Sequence, residues 1–254
     1  MSAGPTHLSP ARAVPPPRSG PTIPRPTLER RLDEGARRRL TAVLAGAGFG
    51  KSTLLSEWAA TRTSAWYSLS IADRELGVLT SGLVDALRLR VPTIAPAIAR
   101  PFGGLRGPDA DSDVAFRAQA HAAVLCDALE THLTRELVLV LDDVDRLRPE
   151  DAAARFIEAL CLAAPPLLRL VMASREDLPF PISRLRGQGQ ALEPFDVGGV
   201  VGVHRLGAQL PAESLVEGTD EWGLLREFDG HGISPGTGMG VGVRPRAKVT
   251  QVCA

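Results

Sequence analysis

The stretch "AGAGFGKST", Ala45 to Thr53, decides how the rest of this chain is read. It is small and glycine-rich, and Gly50-Lys51-Ser52 follow in order. A loop that cradles phosphate needs inward-pointing backbone N–H groups and residues small enough to let the backbone approach the anion. Gly46, Ala47, Gly48 and Gly50 meet that need. Ala45 stands where the strict pattern has its first glycine. That departure is one methyl group, and it costs little unless the position requires positive φ. Lys51 would reach the β- and γ-phosphates, and Ser52 would put its hydroxyl on Mg²⁺. The helix that starts here, Thr53 included, would turn its N-terminus toward the negative charge. Composition adds weight to the lysine. Of 29 basic residues, only Lys51 and Lys248 are Lys. A chain that writes Arg almost everywhere has a compact point charge here, which sits between two phosphates where a planar fork would not.

The flanks supply the context that such a loop requires. "LTAVLAG", 40–46, is a short apolar run suited to a buried parallel strand. "STLLSEWAATR" comes after the loop, with Leu54, Leu55 and Trp58 at helical spacing. Further on, "SAWYSLS" (64–70) reads as a strand, and 76–90 as a helix with Leu79, Leu83 and Leu87 on one face. Residues 91–112 are rich in Pro and Gly and read as a loop, and 113–133 as a long helix. "ELVLVLDDVD" (136–145) is a strand that ends in carboxylates. A helix stopped by Pro165-Pro166 comes next, and then a strand over 167–177. Strand and helix in alternation predict an α/β fold: a P-loop NTPase three-layer sandwich with a mostly parallel sheet.

Two more stretches carry chemistry. A buried strand would deliver Asp142 to the carboxyl edge of the sheet, where ligands sit in such folds. Asp142 could bind Mg²⁺ directly or through water, and Asp143 could orient or deprotonate an attacking water. Apolar strands often end in Asp at a turn, so this reading draws its strength from the loop about 90 residues upstream. At the end of the next strand, Arg175 could sense a γ-phosphate; the alternative is a surface Arg paired with Glu176 or Asp177. No Gly-x-Ser-x-Gly stretch is present, and none of the five His pairs with Cys or His at metal-ligand spacing.

Composition bounds the rest. Formal net charge is zero, so no global basic field points to nucleic acid. Three well-separated cysteines and the lack of any apolar run of about 18 residues point to the cytoplasm rather than to a membrane. Residues 1–24, with Pro15-Pro16-Pro17, read as a disordered leader, and 25–193 as the P-loop domain. Residues 194–254 hold 12 of the 25 glycines and read as an irregular tail, in which "SPGTGMGVGVRP" excludes regular structure.

At this point the chain resembles the N-terminal ATPase domain of the large LuxR-type, MalT-like transcriptional regulators, a branch of the STAND ATPases. "PRPTLERRL" (24–32) resembles that family's entry segment near the adenine. "AGAGFGKSTLLSEWAA" (45–60) resembles its phosphate loop, and "AWYSLSIAD" (65–73) its next strand. "LVLVLDDVDRL" (137–147) resembles its acidic strand, and 165–193 its sensor strand with the segment after it. The resemblance implies an ATP- or ADP-binding switch that hydrolyses ATP slowly, self-associates with inducer and ATP, and leaves promoter DNA to a distant helix-turn-helix domain. It carries nucleotide roles to Gly50, Lys51, Ser52, Asp142, Asp143 and Arg175. From 194 onward the resemblance stops, which reads as a truncated gene or a shifted reading frame that lacks the DNA-binding part. Direct specific DNA binding by this chain is therefore not expected. The alternatives are a stand-alone P-loop ATPase, a small kinase or an inactive remnant.

Overall fold

The apolar runs of the sequence become parallel strands. β1 (Leu40–Leu44), β2 (Ser64–Ser68), β3 (Leu137–Asp142) and β4 (Leu168–Ser174) are joined by a two-residue β5 (Phe195–Asp196). Their order across the sheet is β2-β3-β4-β1-β5, and every pairing is parallel. The computed structural model describes residues 10–17, 22–104, 114–192, 195–197, 224–227 and 248–251, in two compact units, 1–201 and 202–254.

Seven helices are described in the first unit: α1 (Pro26–Ala36), α2 (Lys51–Ala60), α3 (Leu76–Arg88), α4 (Ile94–Gly104), α5 (Val114–His132), α6 (Ala152–Ala163) and the short α7 (Ser183–Gly187). The period of two along each strand sorts them into layers. Leu137, Leu139 and Leu141 of β3 join one apolar cluster with Leu79, Leu83, Leu125, Phe156 and Leu160 from α3, α5 and α6. Val138 and Val140, one step out of phase, are just as buried but lie outside that cluster. On their side α1 and α2 touch each other and the sheet. The three-layer α/β sandwich is thus present. Each Leu or Phe fully buried in it stabilises the fold by about 1.5–3 kcal/mol.

One close approach restricts sequence in α3. A Cβ added at Gly82 would lie 2.0 Å from the Tyr67 hydroxyl oxygen, so only glycine lets β2 and α3 meet there. Elsewhere helix starts obey the usual logic. Pro26 opens α1, where a missing N–H goes unnoticed, and Glu29 lies in its first turn.

The structure corrects the reading of 91–112 as loop, because α4 begins at Ile94. Ile94, Ile98 and Phe102 recur every four residues and are all buried, so a single apolar stripe outweighs the Pro and Gly content. Pro96 falls in the first turn, where the helix tolerates it. The leader also contains structure. Pro10–Arg12 forms a 3₁₀ turn, and the Arg12 guanidinium pairs with the fully buried Asp73. Arg12 also donates to the Ser68 carbonyl at 3.0 Å and lies 4.9 Å over the Tyr67 ring. Composition alone hides an anchor of this kind, because one buried carboxylate suffices to order a polar segment.

β5 pairs with β1 just past residue 193, where the sequence reading ends the domain. The second unit contains two four-residue strands, β6 (Leu224–Glu227) and β7 (Lys248–Gln251), paired antiparallel. The stretch "SPGTGMGVGVRP" lies outside the described residues.

Candidate functional site

The glycine-rich loop leaves β1 at Leu44 and enters α2 at Lys51. Gly48 and Gly50 have φ of 84° and 75°, a region that side chains strongly disfavour. At Gly48 an added Cβ would meet nothing within 4 Å, so the requirement there is purely conformational. At Gly46 an added Cβ would meet the Phe49 ring at 3.3 Å. Ala45 is buried and its φ is not positive, which explains why a methyl group is tolerated where the strict pattern has glycine. Gly46, Gly48 and Phe49 are exposed, as a cradle must be, and Thr53 stands exposed on the first turn of α2.

Lys51 is buried, and its ammonium donates to the carbonyls of Ala45 at 2.5 Å and Gly46 at 2.9 Å. Burial lowers its pKa below the usual lysine value. Asp145, Asp142 and Asp143 oppose that shift, and Arg175 adds to it. These four charges therefore act on the ammonium. Phosphate oxygens beside it would favour the charged form further.

Asp142 ends β3 at the carboxyl edge of the sheet and is buried. Its carboxylate accepts from the Asp143 N–H at 3.0 Å and from the Ser52 hydroxyl. Burial raises its pKa above the usual range, partly offset by the Ser52 hydrogen bond. The two residues read from sequence as Mg²⁺ ligands, Ser52 and Asp142, are thus in contact. A buried carboxylate with spare lone pairs beside a hydroxyl and a phosphate-binding loop fits a hard cation that takes its remaining oxygens from phosphate and water. Among the described residues, no group of three or more His, Cys, Asp or Glu could hold a metal as an all-protein cage.

β4 lies between β3 and β1, so Arg175 emerges between Asp142 and the loop. Its guanidinium faces Asp143 at 3.7 Å and Asp145 at 3.8 Å, and its backbone N–H donates to Asp145 at 3.0 Å. The sequence offered Glu176 or Asp177 as its partners, whereas the turn after β3 supplies Asp143 and Asp145. Asp143 has φ of 57°, the one non-glycine with positive φ among the described residues. That strained turn carries Asp143 and Asp145 to Arg175.

Sequence reasoning assigned no role to two residues found at this site. Arg25, just before α1, donates to the Phe49 carbonyl at 3.0 Å and lies within 3.4 Å of a Cβ built on Gly50. Asp145 holds Arg175. Its signal was in the quoted acidic run, two residues past Asp143, but a run of carboxylates does not say which of them turns inward.

No family model matches the chain. Over 194 residues, 73% of this chain, it is 30% identical to the HTH-type transcriptional regulator MalT of Yersinia enterocolitica. Over 192 residues it is 30% identical to MalT of Serratia proteamaculans. The chain spans about a fifth of the length of these relatives, 20% in each case. Among solved structures, a chain of Drosophila ORC bound to AT-rich DNA and Cdc6 superposes with a TM-score of 0.39 at 12% identity. That match covers 68% of this chain and 52% of the other, too loose a likeness to argue from. Sequence similarity to MalT and the strand–loop–helix geometry agree: the folded body of this chain is a MalT-like P-loop ATPase domain.

Proposed function

We propose that this domain is a nucleotide-dependent regulatory switch that binds ATP or ADP with Mg²⁺ and hydrolyses ATP slowly at most. It would serve transcriptional control in the cytoplasm, with self-association as its output and specific DNA contact assigned to another part of such a regulator. One observation carries the reading: the Lys51 ammonium is buried at the mouth of the glycine loop, beside the Asp142–Ser52 pair.

The residues divide the work. Gly46, Gly48 and Gly50 let backbone N–H groups close on the phosphates, and the N-terminus of α2 at Lys51, Ser52 and Thr53 adds its partial positive charge. Lys51 exchanges the two loop carbonyls for phosphate oxygens. Ser52 and Asp142 would hold Mg²⁺, which when bound draws charge from the phosphates and favours their transfer. Asp143 positions or deprotonates a water, and Arg175 offers its guanidinium to the charge that develops on the γ-phosphate. The Asp143–Arg175 contact of 3.7 Å is long enough to give way without breaking a strong hydrogen bond. No helix among the described residues is long and apolar enough to cross a membrane.

The test is thermal unfolding of the purified chain with Mg-ATP and Mg-ADP, wild type beside Lys51→Ala. At 100 times Kd, ligand binding stabilises by about 2.7 kcal/mol, which raises Tm by roughly 5–10 °C in a domain of this size. The shift should vanish in Lys51→Ala. A folded wild type whose Tm ignores both nucleotides would sink the proposal.

A further inference from the structure

Asp145 takes no part in the chemistry proposed above, yet Arg175 is fastened to it. Its carboxylate accepts the Arg175 backbone N–H at 3.0 Å and faces the same residue's Nε at 3.8 Å. Asp143, by contrast, reaches only the tip of the side chain, at 3.7 Å. The turn that carries Asp145 is itself pinned. Val144 is fully buried, and the Arg146 carbonyl accepts from Arg74 Nε at 2.8 Å. Asp145 is therefore a fixed post, whereas the Arg175 side chain is half-exposed and held at its far end only by the long contact to Asp143.

From this geometry we infer that Asp145 is a positioning residue: it holds the Arg175 backbone so that the guanidinium answers to a γ-phosphate, and so sets the preference for a triphosphate over a diphosphate. The inference rests on the nucleotide-switch reading. A γ-phosphate at Lys51 competes with Asp143 for the guanidinium tip. The bond from Asp145 to the backbone N–H survives that exchange, because it does not involve the moving end. Without Asp145, Arg175 keeps its charge but loses its fixed base, and a diphosphate is then bound nearly as well as a triphosphate.

Affinities for Mg-ADP and for a non-hydrolysable Mg-ATP analogue test this in the full chain. Asp145→Ala should lower the triphosphate-to-diphosphate affinity ratio about tenfold, the factor carried by one hydrogen bond at a charged group. Asp145→Asn, whose amide oxygen still accepts the N–H, should keep the ratio within about threefold of wild type. Arg175→Ala should lower the ratio, and adding Asp145→Ala to it should lower it no further, because both act through one group. If Asp145→Ala does not fold, Asp145→Glu, which moves the acceptor by one methylene, must show the loss instead. An unchanged ratio in the folded variant overturns the positioning role while the switch reading stands, and so do Asp145 and Arg175 losses that multiply. A wild type that binds neither nucleotide overturns both.

Discussion

Two buried carboxylates stand at the carboxyl edge of one sheet, one at the end of β3 and one in the turn that follows its neighbour β2, and they are treated differently. Ser68 of β2 and Asp142 of β3 are register partners, and Asp73 lies five residues past Ser68. Asp73 is 0% exposed and Asp142 4%. Asp73 accepts from the Tyr67 hydroxyl at 2.5 Å, the Ser70 N–H at 2.6 Å and the Ser70 hydroxyl at 2.8 Å, and it pairs with Arg12. Asp142 accepts from the Asp143 N–H and the Ser52 hydroxyl, and burial raises its pKa. A carboxylate offers about four lone-pair sites. At Asp73 four protein donors converge, three on Oδ2 and one on Oδ1, and the charge is structural. At Asp142 about half remain without a protein donor. Depth of burial does not separate a structural charge from a ligand site. The count of donors does.

The largest effect should come from the saturated partner. Asp73→Ala leaves Arg12, Ser70 and the Tyr67 hydroxyl without their shared acceptor, and removing one member of a buried pair costs about 3–5 kcal/mol. Differential scanning calorimetry should show Tm lower by roughly 10 °C. A drop under about 2 °C would show that water replaces the carboxylate easily, and the contrast with Asp142 would collapse. Next in size is Gly82→Ala, which drives a methyl group into the Tyr67 hydroxyl. Overpacking of this kind costs about 1–3 kcal/mol, read from urea midpoints at constant slope. The loss should be smaller in an Asp73→Ala background, where Tyr67 is no longer held.

A third measurement sets charged groups against neutral ones. Burial pushes the Cys126 thiol up to about 12 from its ordinary 9.0, and it pushes Cys161 higher still. A group whose folded pKa is raised contributes stability that is complete below the unfolded pKa and is lost as pH climbs from there toward the folded value. The window therefore opens near pH 9, where unfolded thiols release protons that the folded chain retains. Between about pH 8.5 and 9.5 stability should fall by about 1.4 kcal/mol, roughly half from each thiol. The Cys126→Ala, Cys161→Ala double variant should lack that fall, and an equal fall in the variant would assign it to other groups.

Much of this site was legible because its signals are local. Gly46 to Ser52 between an apolar run and a helical pattern fixed the loop, and LVLVL before Asp142 fixed the strand and its direction. The parallel sheet came from alternation. What escaped depends on contacts between distant segments. Arg12 finds Asp73 across 61 residues of chain. Asp145 finds Arg175 thirty residues on. Neither partnership leaves a periodic trace, because one side chain at one turn suffices. The helix at Ile94 was missed for another reason: its Pro content signalled a break, while the stripe of Ile94, Ile98 and Phe102 carried the burial energy.

The smallest change in stability should come from Asp142→Asn, and it is the most telling. An amide keeps an oxygen for the Asp143 N–H and the Ser52 hydroxyl, and it removes a charge that burial disfavours. Without nucleotide the unfolding free energy should therefore stay within about 0.5 kcal/mol of wild type or rise. The same substitution removes the anionic ligand of a hard cation, so the extra nucleotide affinity that Mg²⁺ confers should drop at least about tenfold. Titrating ATP into wild type and variant, with Mg²⁺ and with EDTA, separates the two effects. Stability lost on the scale of Asp73→Ala, with Mg²⁺ dependence intact, would make Asp142 a second structural carboxylate. Stability kept and Mg²⁺ dependence lost would show that its spare lone pairs are there for the metal.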